Sequence, residues 1–208
     1  MPPKTDFHAS RTNLPFLDLN GPLTLKGNGV VEMELRPGLD QAEVAGVGKP
    51  TIVTRGVLTG YSLPLYAANQ EIFFGMCIPH RWDGVSDIEL AIHCYLAAAE
   101  DDHAFRLQVS WERTRTTTNQ VVLITSQDLE VETNTGALAA QFTSYHVDFD
   151  GENAIPYDMG GHELQVDDEL SMRLRRVNKE GAKDECAGDI VIFHIGLIFH
   201  RNKLGTPL

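Results

Sequence analysis

Between Glu71 and Leu96 the chain reads EIFFGMCIPHRWDGVSDIELAIHCYL. An apolar run stops at Ile78-Pro79, a polar corner follows from His80 to Ser86, and alternation begins at Asp87. A strand places successive side chains on opposite faces. Ile88, Leu90, Ile92, Cys94 and Leu96 therefore share one face, and Glu89, Ala91, His93 and Tyr95 the other. The pattern predicts two half-buried strands joined by a tight corner.

The same reading extends over most of the chain. Strands are predicted over 30–36, 51–58, 71–78, 87–97, 104–114, 120–126 with 129–132, 141–149, 169–177 and 189–200. A kink is expected at Gln127-Asp128. In 104–114, Phe105, Leu107, Val109 and Trp111 point inward, and Arg106, Gln108, Ser110 and Glu112 outward. Leu170, Met172 and Leu174 give the next strand its inner face. No amphipathic helix competes with this pattern. The expected fold class is all-β, a jelly-roll-like antiparallel β-sandwich of about eight strands.

Two segments depart from simple alternation. Residues 1–28 hold Pro2, Pro3, Pro15 and Pro22, with Phe7, Leu14, Phe16, Leu17 and Leu19 scattered without period. They predict an extended N-terminal arm preceding a sandwich domain over 29–208. Ordering such an arm costs conformational entropy unless it lies on a surface. The last strand, 189–200, is apolar on both parities. Val191, Phe193, Ile195, Leu197 and Phe199 form one set. Ile190, Ile192 and Ile198, with His194, Gly196 and His200, form the other. An antiparallel strand with one wet face should alternate, so its second face is expected to be covered. The arm residues and Ile192, His194, Ile198 and His200 are accordingly the candidate oligomer or docking interface.

Charge and composition narrow the function. The 208 residues carry 29 acidic against 17 basic side chains, a net charge of −12. Such a surface repels phosphate backbones and argues against nucleic-acid binding. Arg173, Arg175 and Arg176 are expected on a solvated or ion-paired strand face. Three cysteines make no disulfide framework. Cys77 and Cys94 read as small buried hydrophobes, which suits folding in a reducing cytoplasm. The first ten residues lack the apolar core of a signal peptide. No apolar run approaches the length of a membrane span.

The chemistry-bearing patterns are weak. Eight histidines are present, and only His194 with His200, or His80 with His93, look able to converge. Neither pair has metal-ligand spacing. Asp148 to Asn153 resembles the start of a calcium loop but lacks its closing Glu. No nucleophile elbow, phosphate loop or dinucleotide fingerprint occurs. No catalytic residue, cofactor or metal is expected. Trp82, in the polar corner, is the candidate surface ring for a sugar or other ligand.

One family resemblance rests on particular residues. The corner Ile78 to His80, Trp82, Gly84 and Ser86 to Ile88, then His93, the strand Leu170 to Arg176, and Phe199-His200 with Lys203 to Thr206 carry it. Together they resemble a family of small proteins encoded in tailed-bacteriophage structural gene clusters, over roughly residues 70–206. Members show an IPHxWxxGSDIxxHxHW segment. Here its HxHW reads Ala91 to Tyr95 with His93 as the lone His, which argues against a metal pair. The resemblance implies a non-enzymatic virion component with a jelly-roll domain, often a homotrimer, assembled in the host cytoplasm. A capsid decoration or cement protein bound to the major capsid protein is the first expectation. The alternative is a head-fibre or tail-associated module that binds a receptor or carbohydrate. A metal-dependent sandwich enzyme is the remaining possibility.

Overall fold

The computed structural model describes residues 17–18, 24–25, 29–35, 50–65, 70–80, 82–117, 120–158 and 163–201. Twelve strands are present among them: β1 Leu17–Asp18, β2 Thr24–Leu25, β3 Gly29–Leu35, β4 Thr51–Arg55, β5 Leu58–Leu63, β6 Glu71–Cys77, β7 Glu89–Leu96, β8 Ala104–Thr117, β9 Gln120–Asn134, β10 Ser144–Phe149, β11 Glu169–Val177 and β12 Ile190–Arg201. The sandwich has a larger sheet in the order β10-β7-β12-β5-β4, with β3 also paired to β12, and a smaller sheet β6-β11-β8-β9. All named strand pairs are antiparallel. Between β6 and β12 every connection except the β8–β9 hairpin crosses from one sheet to the other. That alternation is the jelly-roll habit expected from the sequence.

The core lies between the sheets. β7 contributes Leu90, Ile92, Cys94 and Leu96, and β8 contributes Phe105, Leu107, Val109 and Trp111. β11 adds Leu170, Met172 and Leu174, and β6 adds Ile72, Phe74 and Met76. Burying each large side chain contributes roughly 1.5–3 kcal/mol, so the period-two pattern alone accounts for the face each strand turns inward.

Three strand-level expectations change. The segment 51–58 is not one strand but β4, a two-residue turn Gly56-Val57, and the start of β5. Gly56 has φ 62, which a side chain tolerates poorly, and so the chain reverses there. The second change is a register shift between Ile192 and His194 where β12 pairs with β7. The bulge inserts one residue and flips the parity. Ile190 and Ile192 before it, and Ile195, Leu197 and Phe199 after it, therefore all reach one core. Both parities of the strand are apolar because of this flip, not because both faces are packed alike. The expected kink in the 120–132 segment is likewise a register shift. Ser110 pairs with Asp128 while Glu112 pairs with Thr125.

The arginines separate. Arg173 and Arg175 lie on the outer face near Glu71, at 3.6 and 3.9 Å. The Arg176 side chain is only 1% exposed. It donates to Glu185 Oε1 at 2.8 Å and to the Gly188 carbonyl at 2.8 Å, fastening the 179–188 loop.

The cysteines separate too. Cys77, expected to be buried, is exposed, because it sits on the outward parity at the end of β6. Cys94 and Cys186 are buried, and burial pushes both thiols up to about 12. Thiolate, not thiol, is the reactive form. An aromatic disulfide reagent at pH 8 should therefore titrate one thiol in the native protein and three in denaturant. Rapid reaction of three thiols under native conditions would contradict this packing.

Candidate functional site

The corner between β6 and β7 is a structural device. Asp83 Oδ1 accepts the backbone N–H of Val85 at 3.1 Å, that of Ser86 at 2.9 Å and the Ser86 hydroxyl at 2.7 Å. The Asp83 N–H donates to the His200 carbonyl at 2.9 Å, and Gly84 takes φ 77. Burial pushes the Asp83 carboxyl upward. The Ser86 hydroxyl, the two N–H groups and His200 outweigh it and hold the carboxyl below its ordinary value of 3.8. The corner folds Trp82 inward. Trp82 is 4% exposed, belongs to the core and donates its indole N–H to the Ser86 carbonyl at 3.0 Å. The expectation of Trp82 as a surface ring is thereby overturned. Its polar neighbours made the segment look exposed, yet they satisfy one another and leave the ring to the core.

The outer face of the smaller sheet is a self-contained polar ladder. Arg173 donates to Ser110 Oγ at 3.0 Å, and Ser110 Oγ to Asp128 Oδ1 at 2.5 Å. Arg175 donates to Gln108, Gln108 to Glu130, and Arg106 to Glu130. Cross-strand pairing of this kind suits a wet surface.

The outer face of the larger sheet is different. Register places His146 opposite His93, and His93 opposite His194. The three rings form a row. His93 stacks on His146 with centroids 4.3 Å apart and planes 18° apart, and meets His194 edge-on at 4.9 Å. Phe193, turned to this side by the bulge, lies 6.0 Å from His93 and 6.1 Å from Tyr95. His146 Nε2 is 3.0 Å from Asp148 Oδ1. One row along, Asp148, Ala91 and Gly196 are in register, and beyond them Glu89 faces Ile198. The result is a strip of imidazole, aromatic and small side chains.

The β4–β5 hairpin leans over the upper end of this face. A Cβ on Gly60 would lie 2.7 Å from the Ile192 carbonyl oxygen and 2.8 Å from Val191 Cγ1. Only glycine allows that approach. The Arg55 guanidinium sits 3.4 Å above the Phe142 ring, and Phe142 meets Tyr95 edge-on at 5.9 Å. Val191 and Tyr95 are buried although they point out of the sandwich. The hairpin's far side remains open. Ile52 is 55% and Val57 105% exposed.

The predicted site residues fare unequally. Phe7, Leu14, Phe16 and Leu19 lie outside the described residues, and Leu17 is described only as the β1 residue in register with Leu25. His194, Ile198 and His200 do share the outer face, half-buried. Ile192 does not. It is 1% exposed in the core, because the bulge separates its parity from that of His194. His80 pairs with Asp167 at 3.2 Å rather than with His93. His93 and His146 were missed as partners, although each sits on the outward parity of its own strand. Their meeting depends on which strands pair.

The histidine row does not build a metal centre. Two imidazoles lie face to face and the third edge-on, so their nitrogens do not converge. Among the described residues no group of three or more His, Cys, Asp or Glu could hold a metal ion. Asp148 belongs to β10, and Gly151–Asn153 forms a single 3-10 turn. A shallow cavity of about 340 Å3 lies beside Glu100, Asp101, His103 and Leu138. His103 Nδ1 is 2.5 Å from Glu100 Oε2, while Glu100 Oε1 accepts the Gly188 N–H at 2.7 Å. That carboxylate is committed to holding the loop.

No protein-family model matches the chain, and no curated protein sequence matches it. Solved structures give distant likenesses. The chain is similar to a xylan-binding module, CBM15, at 14% identity and TM-score 0.37 over 83% of this chain and 97% of that one. It is similar to a family 11 carbohydrate-binding module from Clostridium thermocellum at 12% identity and TM-score 0.34, over 86% and 91%. It is also similar to VP1 of Trichodysplasia spinulosa-associated polyomavirus at 9% identity and TM-score 0.27, over 92% and 98%. At TM-scores below 0.5 these likenesses carry no argument about what this chain binds.

Proposed function

We propose that this protein is a non-catalytic structural component of a bacteriophage virion, a capsid decoration protein whose larger sheet makes its subunit contacts. The observation that carries this reading is the contrast between the two outer faces. The smaller sheet engages most of its outer polar side chains in its own hydrogen bonds and ion pairs. The larger sheet presents half-buried Phe193, His93, His194 and Ile198, a strip that gains more from a protein surface than from water. The family resemblance of the 78–93 corner supports the virion setting, and the homotrimer belongs to that resemblance. In this reading residues 1–28 bridge neighbouring major capsid subunits.

The test uses purified phage capsids. Deleting residues 1–28 should abolish capsid binding and leave a cooperatively unfolding sandwich. Ile198→Glu should weaken binding by about tenfold or more, roughly 1.4 kcal/mol, without lowering stability. Full-strength binding by both variants would sink the proposal.

A second reading is a receptor- or glycan-binding module of the same virion. The stacked His93 and His146 rings beside Phe193 favour it, since flat rings on a sheet face can stack on a sugar. A glycan array with no ligand for the full chain would remove it.

A further inference from the structure

We propose that the β4 edge of the β4–β5 hairpin is a self-association site, at which a second copy of this chain adds its own β4 antiparallel about a two-fold axis through Val53. Among the described residues β4 pairs only with β5, and no described strand pairs with its far edge. Such an edge is a template for another strand unless charge or proline blocks it. The strand is Thr51-Ile52-Val53-Thr54-Arg55, β-branched throughout its interior, with its one charge at the end.

The occupant follows from charge and register. The chain carries −12, yet residues 50–65 hold no acid and only Arg55 as a charge. The other edge strands of the two sandwich sheets carry acids: Asp148 in β10, Glu32 and Glu34 in β3, Glu71 in β6, and Asp128, Glu130 and Glu132 in β9. Two copies therefore repel least at β4. Register then selects one alignment. The turn Gly56-Val57 is closed by the pair Arg55 and Leu58, and the closing pair of a two-residue hairpin is hydrogen-bonded. Pairs alternate from there, so Val53 turns its N–H and carbonyl toward Gly60, while Ile52 and Thr54 turn theirs to the open edge. A second β4 satisfies them when Ile52 meets Thr54 of the other copy and the two Val53 residues face each other. Arg55 then lies opposite Thr51, so the two guanidinium groups stay apart. Ile52, 55% exposed, gains cover at the same seam.

With about five residues a side, against roughly 20–30 in a standard interface, the contact is weak alone. A single two-fold site per chain closes as a dimer. The inference names a self-contact within the virion reading but is tested apart from it.

The experiment is sedimentation of the full chain over ~10 μM to ~1 mM, a span suited to contacts of micromolar to millimolar strength. The mass should double with concentration. Ile52→Lys and Thr54→Pro should each shift the midpoint at least tenfold higher, while Leu138→Lys, at another exposed apolar site, should not. The proline removes an outward N–H and spares the hairpin ladder. In a Cys77→Ser background, Val53→Cys should form a disulfide-linked dimer under mild oxidation, since directly opposed non-bonded residues lie within bridging distance. Leu138→Cys is the control. Constant mass at every concentration, cross-linking no faster than the control, or protection of the hairpin only by another virion protein would each overturn the proposal. Capsid binding that survives loss of self-association would leave the functional reading standing.

Discussion

Asp168→Ala should lower stability by about 3–5 kcal/mol, because it leaves buried Arg113 and half-buried Arg115 without their counter-charge. Asp168 is 1% exposed. Its carboxylate accepts Arg115 Nε at 2.6 Å and Arg115 Nη2 at 2.7 Å, a two-pronged contact. It also accepts the Gln165 N–H at 2.8 Å and lies 3.6 Å from Arg113 Nη1. The Asp168 backbone continues the clamp, since its carbonyl accepts the Ile78 N–H at 2.8 Å. Asp168 thus ties β8 to the entry of β11 through its carboxylate, and to the end of β6 through its backbone. Urea unfolding at neutral pH should show a lower midpoint with an unchanged slope. Asp168→Ala combined with Arg115→Met should cost less than the two single changes summed, because the pair shares one interaction. A loss under ~1 kcal/mol for Asp168→Ala would mean that water replaces the carboxylate and that the cluster is not sealed.

Trp82→Ala should cost about 3–5 kcal/mol, the range for removing a large aromatic side chain from a core. A surface ring offered to a ligand would cost within ~0.5 kcal/mol when removed. The two roles of Trp82 therefore differ in stability by several-fold, and thermal or urea unfolding separates them without any ligand. Trp82→Phe should lose less, because most of the buried area remains. The corner should also loosen in acid. The Asp83 carboxyl is held below 3.8 in the fold, so it stabilises the folded state above that pH and loses its contribution as pH falls through its lowered value.

The strand faces were legible because alternation is local. Phe105, Leu107, Val109 and Trp111 were expected inward and are 0 to 1% exposed. Leu170, Met172 and Leu174 follow the same rule at 0 to 2%. Gln108 shows the limit of the rule. It points outward as expected, yet it is 5% exposed, because Arg175 and Glu130 close over it. Trp82 shows a second limit. A corner rich in polar residues implies exposure only if those residues are not bonded to one another. Asp83 and Ser86 are so bonded, and the ring goes inside.

The candidate face was less legible, since none of its rows is contiguous in sequence. His93, His146 and His194 come from three strands, and nothing within any one of them announces the other two. The corner at 78–93 suggested that His93 stood alone, and along the chain it does. Pairing of β10 and β12 on either side of β7 supplies its neighbours.

By itself, then, the sequence determined an antiparallel sandwich and which residues of most strands face its core. Period-two alternation and turn residues act over a few positions and can be read in order. Only the tertiary structure decided the parity switch at Phe193, the imidazole row, the burial of Trp82 and the open edge of β4. Each depends on which strands lie side by side and in what register. That choice is made by the packing of the whole sandwich, and one inserted residue in β12 is enough to turn half a strand over.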